Sequence, residues 1–369
     1  MTTSANGLPR WADIGLLPLI NVTLALGAAG LIVAAIGENP LNAIRIMVAG
    51  ALGGPEGIGY TLYYATNFVF AGLAVAVAFH AGLFNIGGEG QAYIGGLGVG
   101  LAMLALDRHL PFAALFPLGL VLSMAFGAAW AFVPAYLQAH RGSHVVITTI
   151  MFNFLAAALM VYLLVNVFIA PGSMTPESRK FADAAALPMV HDLLAAIGIT
   201  MPFTPLNLSL GVALLACVAV WGFLWHTPWG YEIRVVGQSE KAAVYAGIRP
   251  KRVIVAAMCL SGALAGLIGL NEIMGVHHRL FLNFVAGAGF TGIAVSLMGR
   301  NHPFGIVLAA LLFGAIQQGG AELSFDVPNI TREMVVVIQG LMILFSGALA
   351  FMARPLLEGL FALRGEARA

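Results

Sequence analysis

Asn85, Glu89 and Gln91 stand close together in the run Ala81-Gly82-Leu83-Phe84-Asn85-Ile86-Gly87-Gly88-Glu89-Gly90-Gln91, with apolar sequence on both sides. Two amides, a carboxylate and the ring of Phe84 offer hydrogen bonds and stacking, which is the chemistry of holding a nucleobase or a sugar. It is not the chemistry of breaking a bond. Such groups are expensive against lipid. The glycines weaken a helix here, and backbone freed at membrane depth survives only where protein buries it or water reaches it. The run therefore reads as a helix break on a solute path. The plainer alternative is a tight turn at the membrane surface with Glu89 in water.

A second polar group is Asn271-Glu272, followed by His277-His278-Arg279. Glu272 either faces an aqueous vestibule, as a candidate path residue, or pairs with Arg279 at the interface, and the pairing is the stronger expectation. Adjacent histidines diverge on a helix and no carboxylate stands at ligand spacing, so a metal site is not expected. Asn153 and Asn67 lie inside apolar runs. Hydrogen bonds between helices are their default role, and Asn153 is also counted among the path candidates.

The third polar stretch, Thr227 to Arg252, gathers five of the seventeen basic residues: Arg234, Lys241, Arg249, Lys251 and Arg252. It predicts one short helix, capped by Ser239, with Glu240 at its positive end and Gly247 and Pro250 stopping it. Ala242, Ala243 and Ala246 make a small-residue surface beside Tyr245. A helix this short is unstable alone in water, so it needs something to dock against.

Bond-making motifs are missing. The only lysines are Lys180, Lys241 and Lys251, and none follows a glycine. A phosphate-binding GxxxxGK[ST] loop is therefore absent, as are HExxH, CxxC and GxSxG. Gly287 to Gly292 matches GxGxxG outside any βαβ unit, so it reads as helix packing or a helix break. Cys217 and Cys259 lie alone in apolar runs and are expected to be buried and unpaired.

The elements that position these groups are membrane helices. Apolar residues make up 60% of the 369 positions and charged ones 9%, at a mean hydropathy of +0.94. Apolar runs near 20 residues recur, which gives an all-α polytopic membrane protein. Spans are expected at Ile14–Ile36, Tyr60–Phe79, Gln91–Leu106, Phe112–Leu137, Val145–Ile169, Leu206–Leu224, Val253–Ile273, Phe284–Met298, Pro303–Gly319 and Met334–Met352. About ten crossings follow, with eight to ten as the range. GxxxG spacings at Gly96/Gly100 and Gly262/Gly266 suit close helix packing. The first apolar run is long and lacks a small-residue cleavage site, so it is expected to stay as a span. Residues 1–369 read as one transmembrane domain, with 170–205 an external loop in which Met189 to Ile199 forms a short interfacial helix.

With ten spans, Arg10, Arg141, the five bases of 227–252, Arg300, Arg354, Arg364 and Arg368 fall on one side. Arg45, Arg108, Arg179, Lys180, Arg279 and Arg332 fall on the other. The positive-inside rule then places both termini and 227–252 in the cytoplasm. Val145–Met151 and Val336–Met342 echo one another weakly, as duplicated halves do.

Three ordered blocks resemble the permease subunits of ABC importers, in the family serving simple sugars, nucleosides and branched-chain amino acids. Gly82–Gln91 is similar to the Asn-Ile-Gly-x-Glu-Gly-Gln signature of its nucleoside and simple-sugar branch. Gly230-Tyr231-Glu232-Ile233-Arg234-Val235-Val236-Gly237, running on to Ala242–Ile248, is similar to its cytoplasmic coupling loop. Gly289–Val295 with Gly299–Pro303 and Leu312-Phe313-Gly314 is similar to its C-terminal block. The chain departs from the family at Ser239-Glu240, where Asn-Pro is usual, at Val244, where arginine is usual, and at Asn67, where proline is usual.

The resemblance implies a type II importer-like permease fold with weakly duplicated halves in a bacterial inner (plasma) membrane. It implies no ATPase site and no bound cofactor in this chain, with ATP hydrolysed by partners. Those partners are two ATP-binding subunits, a second permease and an external binding protein or lipoprotein, with no nucleic acid. The solute is a nucleoside by preference and a simple sugar next. Coupling is expected through Gly230, Glu232, Arg234, Gly237, Ala242, Ala243, Tyr245 and Gly247, with Ala242, Ala243 and Tyr245 seated in a groove of the ATP-binding subunit. The rival class is an ion-coupled secondary carrier with broken helices. Scarce intramembrane charge weakens it, since Glu89 and Glu272 are the only candidates.

Overall fold

The computed structural model describes residues 17–331, 334–337 and 340–341. Among these the chain is helical, and isolated bridges replace strands. Helix is the form that apolar sequence takes where water cannot satisfy the backbone. Among the described residues six helices are long and apolar enough to cross a membrane, or seven if one sharply bent pair counts as a span.

The chain divides into two compact units. The first unites the described parts of 1–57 and 315–369. Here α1 (Leu17–Ala35) meets α2 (Pro40–Leu52) at a bend of 119°. Asn39 makes the bend: its side chain accepts from the N–H groups of Leu41 and Asn42, and Pro40 opens the next helix. Glu38 beside the bend accepts from Asn329 at 2.8 Å. The sequence reading placed no helix at 40–52, whose thirteen residues fall below spanning length. The expected tenth span, Met334–Met352, lies largely outside the described residues, as do the termini and part of the second half of the internal echo.

The second unit, Ile58–Gly314, carries the polar clusters. It holds most of α3 (Pro55–His80), then α4 (Gly88–Leu106), α5 (Phe112–Arg141), α6 (Val145–Asn166), the short α7 (Val190–Ala195), α8 (Ser209–His226), α9 (Pro228–Gln238), α10 (Glu240–Tyr245), α11 (Pro250–Gly269), α12 (Ala288–Met298) and the start of α13 (Pro303–Asp326). At its centre is α4, packed by α5, α6, α11 and α12 and buried along nearly its whole length. Its six glycines from Gly88 to Gly100 lower its hydropathy, yet protein rather than lipid surrounds it, and small residues are what close packing needs. A β-carbon on Gly95 would sit 2.4 Å from the Gly266 α-carbon, and one on Gly262 would sit 2.4 Å from the Gly127 carbonyl oxygen. The Gly262/Gly266 spacing is thus a helix–helix seam. Gly96 and Gly100 instead receive the side chains of Phe284 and Leu280.

Two expected elements differ in form. Residues 227–252 hold two helices rather than one, because Thr227 and Pro228 open α9 as cap and first residue while Ser239 ends it and caps α10. The span expected at Phe284–Met298 is a short helix, the eleven-residue α12, entered through irregular backbone. After α11 the helix widens into a π-helical segment, Leu270–His277, a form concentrated at functional sites.

Candidate functional site

The break between α3 and α4 is held closed by its own side chains. Asn85 donates to Gln91 Oε1 and to Ser261 Oγ, both at 2.9 Å, and its Oδ1 accepts from Gly87 N at 2.8 Å and from Gln91 Nε2 at 3.2 Å. Ser261 Oγ donates in turn to the Ala74 carbonyl at 2.6 Å. Asn85 and Gln91 are 1% exposed, and the amide of Asn85 has spent both donors and its acceptor inside the chain. The pair fixes the break; no group of Asn85 is left for a solute. Asn153 on α6 reinforces it, accepting from Gly90 N and donating to Ile86 O, both at 2.9 Å. Phe84 is half-buried, edge-on to Phe79 with ring centroids 6.4 Å apart.

Glu89 joins two distant parts of the chain. Its two oxygens accept from Gly287 N and Gly289 N, each at 2.9 Å, so a buried carboxylate sits on the positive end of α12. Gly287 is left-handed, φ 81°, which a side chain would strain, and a β-carbon on Gly289 would strike the Glu89 backbone at 2.3 Å. The GxGxxG run is thus a helix start packed on α4, and Glu89 is not a solvated surface group.

Glu272 is buried in the π-helical segment. Tyr63 donates to its Oε1 at 2.6 Å, Asn67 also donates at 2.6 Å, and the ring Nε2 of His277 lies 3.5 Å from Oε2. Asn271 extends the network, donating to Asn67 Oδ1 and accepting from Asn207 and Ser209. The expected pairing with Arg279 does not form. Arg279 reaches Glu177 of the loop at 2.7 Å, because widening of the helix and the left-handed turn at His278 (φ 52°) carry it away. Tyr63, Asn207 and Ser209 were not singled out from the sequence. An Asn-x-Ser following Pro205 at a helix start was the available signal.

Beyond α4 the loop 170–205 is anchored by Asp107. Arg179 grips its carboxylate with two bonds, 2.7 and 2.9 Å, and Ala182 N donates at 2.7 Å. Those bonds from Arg179, aided by Ala182 N, hold the Asp107 carboxyl below its ordinary value against the cost of burial.

The coupling candidates form a connected piece. Gly230 lies against α8, where a β-carbon would meet the Phe223 carbonyl oxygen at 2.2 Å. A β-carbon on Gly237 would lie 2.1 Å from the His80 carbonyl oxygen and 2.8 Å from Gly82 N, so α9 rests backbone to backbone on the α3–α4 break. Arg234 has a buried Nε without a hydrogen-bond partner, one of three such side-chain atoms among the described residues. Glu232 is exposed. On α10, Ala243 is fully buried against its own chain, while Ala242, Val244 and Tyr245 are exposed, Tyr245 at 93%. Ala243 therefore seats α10 on the rest of the chain. Gly247 closes α10 at φ 78°, with Ile248 N bonding back to Ala243 O at 2.9 Å.

An apolar groove of about 740 Å³ runs between α5, α8, α9 and α11, past Phe116, Leu215, Phe223, Trp229 and Leu264. It offers a polar solute almost no hydrogen bonds.

Residues 57–347 match the family model described as the branched-chain amino acid transport system / permease component. The chain belongs to this permease family. The permease is 36% identical to the glucose ABC transporter permease of Haloferax volcanii, over 92% of this chain and 88% of that one. It is 34% identical to the guanosine ABC transporter permease of Bacillus subtilis, over 89% and 92%. It is 33% identical to a nucleoside ABC transporter permease of Lactococcus lactis, over 89% and 90%. It is thus a multi-pass plasma-membrane subunit of an ABC transporter, in a family that works with ATP-binding and substrate-binding partners.

Proposed function

We propose that this permease, paired with a second permease subunit, forms the path of an ATP-driven nucleoside importer and takes its stroke from two ATP-binding subunits through α9 and α10. The observation that carries the reading is mechanical. The exposed tip Val244-Tyr245 is seated by buried Ala243, and α9 beneath it lies with Gly237 in backbone contact with the α3–α4 break. A push on the tip is delivered to a segment that Asn85, Gln91, Asn153 and Glu89 hold rigid. The stretch is cytoplasmic by its excess of bases, as are both termini, and an external binding protein or lipoprotein delivers the solute.

The guanosine and nucleoside permeases among the relatives support a nucleoside as solute, and the glucose permease makes a simple sugar the runner-up. One observation favours an ion-coupled carrier instead: a buried Glu272 within 3.5 Å of His277. Radiolabelled uptake separates the two. Nucleoside uptake that stops on ATP depletion and withstands a protonophore supports the importer. The reverse pattern supports the carrier.

A further inference from the structure

Residues 278–287 are not helical, although they run deep beside α4. Leu280 fills the space over Gly100, Phe284 that over Gly96, and Gly287 bonds to Glu89. Eleven residues of α4 are thus passed, about 16 Å along its axis, or roughly half the hydrocarbon thickness. His278, Asn283 and Ala286 adopt left-handed φ of 52°, 62° and 48°, an expensive conformation for residues other than glycine. Lipid cannot cover irregular backbone at such depth; only protein or a water-filled path can.

One side of this segment is open. Asn283 and Ala286 are exposed, Phe290 is 47% exposed, and His277, Phe281 and Leu282 are partly so. Behind the open side stands an aromatic backing. His277 and Phe281 have ring centroids 4.3 Å apart, Phe281 and Phe284 6.0 Å, and Phe284 and Tyr93 5.0 Å. Tyr93 also donates to Asn283 Oδ1 at 3.3 Å, fixing that amide. The row extends from beside Glu272 to one turn from Glu89.

We propose that residues 281–287 with Phe290 are the wall of the solute path. Phe281 and Phe290 supply stacking faces and Asn283 supplies the hydrogen-bonding edge. The solute class is a ring with one apolar face and a hydroxyl-bearing rim, as in a nucleoside or a hexose; stacking on an aromatic ring is tolerant of the ring's identity. This rests on the importer reading and moves the path from the Asn85 network to the connector.

The test places a cysteine at Leu282 or Asn283 (Leu282→Cys, Asn283→Cys) in a Cys217→Ala, Cys259→Ala background within the complete transporter. Leu282→Cys avoids the left-handed position, so it guards against misfolding. Labelling is followed with a charged, membrane-impermeant methanethiosulfonate and with a neutral lipophilic maleimide. The path predicts fast reaction with the charged reagent, because the thiolate forms only in water. Guanosine or glucose at nine times its Kd should slow that reaction about tenfold by occupying nine sites in ten, and the protecting solute names the ring. Labelling by the lipophilic reagent alone, by neither reagent, or at a rate no solute changes overturns the proposal. Uptake by the cysteine-free parent is measured separately. A parent that moves neither solute refutes the nucleoside and sugar reading while the labelling still decides the wall.

Discussion

Gly237→Ala adds one carbon where there is no room. The new β-carbon would lie 2.1 Å from the His80 carbonyl oxygen and 2.9 Å from its carbon, and both are backbone atoms that cannot rotate aside. Relief requires α9 to lift by about 1 Å from the α3–α4 break, at an overpacking cost of about 1–3 kcal/mol. If that contact is the link between α10 and the path, the coupling free energy falls by a similar amount, which is about a 5- to 150-fold loss of coupled turnover. The assay is uptake and substrate-stimulated ATP hydrolysis by the complete transporter, beside the amount of permease in the membrane. Gly222→Ala is the control, since its site is open within 4 Å on α8 and a helical Gly→Ala is neutral or slightly stabilising. A Gly237→Ala transporter present at normal level, with normal uptake and normal stimulated hydrolysis, refutes the argument.

Other changes separate structure from coupling. Tyr245→Ala, at 93% exposure, should leave the thermal stability of the isolated permease unchanged while weakening capture of the ATP-binding subunit about 30-fold, as loss of a hot-spot aromatic of ~2 kcal/mol does. Asn85→Ala strands Gly87 N, Ser261 and Gln91 in a buried site, so it should lower stability by about 1–3 kcal/mol and leave the ranking of solutes in a competition assay unaltered. Arg179→Ala leaves the Asp107 carboxylate buried with one remaining donor and should cost about 1–3 kcal/mol in a detergent melt. Since the folded Asp107 carboxyl is held below its ordinary value, its stabilisation is present above the unfolded pKa near ~3.9 and is lost as pH falls through the lower folded value. The wild-type melt should drop in that acid window, and the Arg179→Ala melt should drop less there.

The sequence made most membrane spans legible, and it made the break at 81–91 legible, because apolar periodicity and glycine are local signals. Ser239 as a cap and the stop at Gly247 were legible for the same reason. What escaped depended on partners far along the chain. Glu89 meets Gly287, Glu272 meets Tyr63, and Arg279 meets Glu177; no spacing rule links such positions. Asn85 and Gln91 read as free polar groups because their bonds to each other and to Ser261 are invisible until the break folds back on α11. The short α2 was missed since its thirteen residues fall below spanning length. The irregular stretch before α12 read as part of a span because its composition is apolar, while its conformation is set by Glu89 on α12 and by the slots over Gly96 and Gly100.

The central claim is that this permease passes its solute when ATP-binding subunits push on α10. Its most direct test is uptake of labelled guanosine by proteoliposomes holding the complete transporter, with ATP supplied on the side of α10. Uptake that requires ATP, survives a protonophore and is sharply reduced by Tyr245→Ala is predicted. Uptake without ATP that a protonophore abolishes, or ATP-driven uptake indifferent to Tyr245→Ala, contradicts it.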